Sequence, residues 1–166
     1  MPEIKIADNV FAPAGRKTLN YKGKEPFNVV EMINTEMRLV YGVARKDIIT
    51  QSFMWDTTGD PRSFFVKLRT DHKLDRWTKC TIWFIVQGEQ FSRTKEGHFT
   101  FILKPTLFTK IEYTNFLQKD LWWIYDRWFY HSQRQKYIER ELLLADRFLH
   151  DLREQLGIQH GERELP

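Results

Sequence analysis

The side chains that could do chemistry in this chain are few, and their spacing argues against most reactions. The five histidines are His72, His98, His131, His150 and His160. None belongs to a His-Glu-x-x-His or paired Glu-x-x-His pattern, which would turn imidazoles and carboxylates toward one ion. Cys80 is the only cysteine, so it can form neither an internal disulfide nor a thiolate metal site by itself and is expected as a small core residue. No metal is expected. Asp56 and Asp60 stand four apart in Asp56-Thr57-Thr58-Gly59-Asp60-Pro61. They could hold a cation, but glycine and Asp-Pro make a hairpin turn of the same residues, and no further ligands follow in EF-hand register. Ser52, Ser63, Ser92 and Ser132 lack a nucleophile elbow. Neither form of glycine-rich phosphate loop occurs, so no nucleotide cofactor is expected. No acid-base pair can be nominated from spacing, which favours a non-enzymatic role.

Two features remain. Residues 62–79 hold Arg62, Lys67, Arg69, Lys73, Arg76 and Lys79 against Asp71 and Asp75, a surplus of four that equals the formal charge of +4 on the whole chain. With Trp77 and Trp83 nearby, this composition suits nucleic-acid contact, where cations meet phosphates and rings stack on bases. A solvated sheet face with edge lysines would use the same residues. The other feature is an aromatic seam at Phe116, Trp123, Tyr130 and Tyr137, flanked by Arg127 and Arg134. Either another segment buries it, or it is a patch for a partner chain or a membrane interface.

These residues sit on elements that the patterning predicts. Residues 16–21 alternate and read as a strand closed by Gly23, with a further strand at 2–7. Pro26 opens a short helix whose Val30, Ile33, Met37 and Val40 share a face until Gly42. From 47 to 113 the period is two, with turn signals at 58–61, 75–76, 88–89 and 96–97, giving five or more strands in up-and-down order. Phe64, Val66 and Leu68 point one way while Phe65, Lys67 and Arg69 point the other. After Asn115, no proline or glycine occurs until Gly157, and a helix of about 42 residues and about 60 Å is predicted. One seam runs Leu117, Leu121, Ile124, Trp128, then His131 and Gln135, then Ile138, Leu142, Ala145, Leu149, Leu152 and Leu156. The first half, to about Tyr130, is expected to cover the core. Residues 132–166 are expected to extend or project from a single domain, with Tyr137, Leu142 and Leu149 available to a partner.

The fold class predicted is α+β, a curved antiparallel sheet of six or seven strands gripping a long C-terminal helix, with one short helix near the N-terminus. The start of the chain lacks a signal-peptide pattern and no apolar run approaches a membrane span, so a cytoplasmic protein without a transmembrane segment is expected.

This order of elements over residues 2–131 resembles the helix-grip fold of the START and Bet v 1-like superfamily. The resemblance implies a cavity between sheet and helix for a lipid-like or polyketide-like molecule. It would be lined by Phe64, Leu68, Ile82, Phe84, Phe99 and Phe101 from the strands and by Leu121, Ile124, Tyr125 and Trp128 from the helix. Tyr125, Tyr113 or His98 would supply one orienting hydrogen bond. Three readings follow: a binding domain for an apolar small molecule, an interaction or oligomerisation module using the helix and its aromatic seam, and a nucleic-acid binder using the basic strand.

Overall fold

A computed structural model of the chain describes residues 2–158. It is α+β, with a curved six-stranded antiparallel sheet, a shorter N-terminal helix and 40 continuous helical residues at the C-terminal end. The strands are β1 (Glu3–Asn9), β2 (Lys17–Lys24), β3 (Ile48–Asp56), β4 (Arg62–Lys73), β5 (Thr78–Gln90) and β6 (Glu96–Glu112). Helix α1 is Val29–Tyr41, preceded by a 3-10 turn at Pro26–Asn28, and it stops at Gly42, whose φ of 65° is the left-handed conformation glycine adopts without strain. The C-terminal helix comprises α2 (Phe116–Tyr125), a π-helical segment (Asp126–Tyr130) and α3 (His131–Gln155).

The sheet order is β1-β6-β5-β4-β3, and β2 also pairs with β6. Strand β6 is long enough for both N-terminal strands to share one of its edges. Residues 106–112 pair with β1 and residues 96–103 with β2. Pro105 does not break β6, because it falls between these two pairings, where its missing N–H deprives neither strand of a ladder bond. The turn expected at 88–89 is absent, and β5 runs through it. Gly88 is there because it faces inward, where a Cβ would stand 2.7 Å from the Phe64 ring and 2.8 Å from the Phe99 Cβ.

Alternation sends one set of side chains to the inner face: Phe64, Val66 and Leu68, then Ile82, Phe84 and Val86, then Phe99, Phe101, Leu103 and Leu107, all buried. Cys80 is buried among them, as its sequence setting predicts. Two helices cover this face. From α1 come Val29, Ile33 and Met37, and from α3 come Ala145, Phe148, Leu149 and Leu152. Phe148 is the central knob, with its ring centroid 5.2 Å from Phe84, 5.9 Å from Phe101 and 6.1 Å from Tyr41.

The assignment of the two halves of the long helix is therefore corrected. Residues 132–155, expected to extend or project, pack on the sheet through one face, and Leu149 lies in the core with Leu142 half-buried beside it. Residues 159–166 of the expected extension lie outside the described residues. Among the described residues, no helix is long and apolar enough to cross a membrane. Replacing Phe148 by alanine should lower the unfolding free energy by about 3–5 kcal/mol, read from the urea midpoint at unchanged slope.

Candidate interaction site

Helix α2 begins where Asn115 and Gln118 satisfy the free amides of the first turn. The Asn115 side chain accepts from the Gln118 N–H at 2.9 Å, and the Gln118 Oε1 accepts in return from the N–H of Thr114 at 2.9 Å and its hydroxyl at 2.8 Å. Beyond this cap the apolar seam of α2 faces solvent. Leu117 is 67% exposed, Leu121 58%, Ile124 57% and Trp128 74%. Phe116, Trp123, Tyr125 and Phe129, also exposed, widen the stripe.

The reversal between the two halves has a geometric cause. An apolar repeat of seven drifts by about 20° per heptad on a straight α-helix, hence about 80° over the four heptads from Leu117 to Ala145. The wide turn at Asp126–Tyr130 lags in the same sense, because a π-helical residue advances through a smaller angle than an α-helical one. A seam that is continuous in sequence thus points outward on α2 and inward on α3.

Two polar knots hold the helix where the halves meet. Asp75, in the β4–β5 hairpin, accepts at Oδ1 from the N–H groups of Trp77 and Thr78, both at 2.7 Å. Its Oδ2 accepts from the hydroxyls of Tyr130 at 2.8 Å and Tyr137 at 2.9 Å. A carboxylate only accepts, so Tyr130 spends its proton on Asp75. Thr78 must then donate to the Tyr130 oxygen, and Thr109, 2.9 Å from Thr78, donates to Thr78. Partial burial acts against the charge on Asp75, but the bonds from Tyr130, Trp77, Tyr137 and Thr78 outweigh it and hold the carboxyl below its ordinary range. In the second knot, buried Arg134 pairs with Asp8 of β1 and stands 3.5 Å from Asp126 of the π-helical segment. The rings of Trp77, Trp122 and Tyr125 surround Tyr130 at centroid distances of 5.6, 6.3 and 6.2 Å.

The residues expected to line a cavity are divided by this arrangement. Phe64, Leu68, Ile82, Phe84, Phe99 and Phe101 come together in the core, against α1 and α3. Leu121, Ile124, Tyr125 and Trp128 do not join them, because their half of the helix turns its apolar side to solvent. Tyr113 follows the end of β6, half-buried, and His98 is exposed on the outer face opposite Glu89 and Lys22. Of the residues expected to meet a partner, Phe116 and Trp123 are exposed, whereas Tyr130 is buried and Tyr137 half-buried because their hydroxyls are bound to Asp75.

A pair of buried Glu141 and half-buried His72 escaped the sequence reading. Glu141 of α3 is 0% exposed, and its Oε1 lies 2.9 Å from Nδ1 of His72 on β4, while its Oε2 has no hydrogen-bond partner among the described residues. Burial and then the Glu141 charge push the nearby Tyr41 hydroxyl and Cys80 thiol well above their ordinary ranges. The one available signal was position, since Glu141 interrupts the apolar face four residues before Ala145. His150, Asp151 and Glu154 also converge on the surface of α3, but three mostly exposed polar groups on one helix are an ordinary solvated surface.

Two outcomes test these networks. Because the fold depresses the Asp75 carboxyl, its contribution is complete above the unfolded-state value of about 3.9 and disappears as the pH falls toward the folded value. Asp71 is held low as well, so Asp75→Asn and Tyr130→Phe should each flatten, without abolishing, the fall in stability below about pH 5 in urea melts. His72→Ala should cost about 3–5 kcal/mol by leaving Glu141 without a partner, and most of that loss should return in His72→Leu with Glu141→Leu.

No protein-family model matches the chain, and no curated protein matches it.

Proposed function

We propose that this protein is an assembly module in which two copies join through the apolar stripe of α2. The observation that carries the reading is the outward seam of Leu117, Leu121, Ile124 and Trp128 on a helix whose other half already covers the core. Its four-three-four spacing is what one helix needs to pack along another. At roughly 200 Å² per large side chain, weighted by exposure, the eight exposed residues of this stripe offer on the order of 1000 Å². That is close to the roughly 800 Å² each partner contributes to a stable interface, and it exceeds what monomers commonly leave to water.

Charge favours a copy of the chain over a lipid surface. Residues 116–130 contain Lys119 and Arg127 against Asp120 and Asp126. The stripe therefore gains nothing from anionic headgroups, and it can face itself without repulsion. A small-molecule site between sheet and helix has less support, because Phe84, Phe101 and Phe148 fill that space with rings in mutual contact.

Sedimentation equilibrium across a concentration series should give a dimer. Leu121→Asp with Trp128→Asp should give a monomer whose melting temperature stays within a few degrees of the wild type, since both side chains are exposed. A wild-type chain that remains monomeric, with or without affinity for phosphatidylcholine vesicles, would overturn the proposal.

A further inference from the structure

The outer face of the sheet carries an independent inference. The β3-β4-β5-β6 register aligns Ile49, Arg69, Trp83 and Lys104 in one row across the sheet, and Lys67 with Ile85 and Ile102 in the next. In the other direction, Lys73, Lys79 and Phe108 share a row. Lys67 lies over the Trp83 ring at 4.5 Å and Arg69 at 5.5 Å. The helices occupy the other side, so among the described residues this face is uncovered. At its hairpin end a groove of about 600 Å³ is lined by Lys73, Arg76, Trp77, Lys79, Phe108 and Lys110, together with Asp71, Asp75 and Glu112.

The carboxylates nearest Trp83 and the groove are already engaged, and Glu89 stands farther along β5, opposite His98. Asp71 pairs with Arg69 and Lys79, Glu112 pairs with Lys110, and Asp75 holds the helix. Among the described residues, Lys67, Lys73, Arg76 and Lys104 form no ion pair. Lysine placed to protect a sheet belongs on edge strands, yet β4, β5 and β6 are interior to the strand order. Uncompensated cations on central strands fit a polyanion. Rings set among them fit one with flat faces to stack, which an acidic polypeptide or a duplex with its bases inside does not offer.

We infer that this outer face binds single-stranded nucleic acid, with phosphates held by Lys67 and Lys104 and a base stacked on the Trp83 ring face that Lys67 vacates when it turns to phosphate. The groove with Trp77 and Phe108 continues the track. The six residue steps along β5 from Lys79 to Ile85 span about 20 Å, enough for a few nucleotides of extended strand.

The test is fluorescence anisotropy of labelled oligothymidylate and oligouridylate over a salt series, using the full chain. Binding should weaken with salt at a slope of about −0.7 per phosphate neutralised, hence about −1.4 for the two lysines. Lys67→Ala and Lys104→Ala should each make the slope shallower by about 0.7. Trp83→Ala should weaken binding about 5- to 150-fold at an unchanged slope, and Trp83→Phe should restore most of it. Circular dichroism of each variant separates these effects from unfolding. Leu121→Asp with Trp128→Asp should leave per-chain binding intact, which keeps this result distinct from that of the dimer. The inference is overturned if no binding occurs at low salt, if duplex DNA or polyglutamate binds equally well, or if the Trp83 and lysine variants match the wild type.

Discussion

The carboxylate of Asp75 is tied at once to its own hairpin and to the C-terminal helix. Its Oδ1 closes the β4–β5 turn on two backbone N–H groups, and its Oδ2 receives two tyrosine hydroxyls one helical heptad apart. Because Tyr130 and Tyr137 are fixed on the hairpin, α3 must run inward over the sheet, and whatever precedes Tyr130 must lie toward or past the sheet's end. Asp8 and Asp126 fasten the same point from the β1 side through Arg134. The packing of Phe148, the burial of Glu141 and the exposure of Leu121 all follow from where this junction holds the helix.

The sheet divides the chemistry of the molecule by side. Its inner face is closed by rings and methyl groups from two helices, and the polar groups admitted there are few, with Glu141 and His72 answering one another. Its outer face has no such cover among the described residues and carries cations and rings in register. A strand buried on both faces would read as a continuous apolar run. β4 instead alternates buried Phe64, Val66 and Leu68 with half-buried Phe65, Lys67 and Arg69, so it can serve a core and a solvent-facing surface together.

Some of this was legible in residue order. The alternation from Phe64 to Arg69 states both faces of β4, and Pro26 and Gly42 bracket α1 closely. Asn115 marks the start of the long helix because its side chain can replace a missing amide partner. Other features were hidden. Pro105 resembles a strand break until β1 and β2 are seen to share the edge of β6. Gly88 resembles a turn until its neighbour Phe64 is known. Tyr130 and Tyr137 resemble an interaction seam because a sequence records a hydroxyl without recording the carboxylate, 55 and 62 residues away, that receives its proton.

By itself the sequence determined the class of each segment, since strand and helix are written in periods of two and three to four residues that hydrophobic burial reads locally. It also determined that one helix is apolar on more sides than a single sheet can cover. Which side meets the sheet, and at which end, was decided by tertiary structure alone. The angular drift of a seven-residue repeat and the wide turn at Asp126–Tyr130 set the phase between the two halves, and the long-range bonds of Asp75 and Arg134 choose which half is held against the core. Those partners are distant in the chain, and no local pattern encodes their meeting.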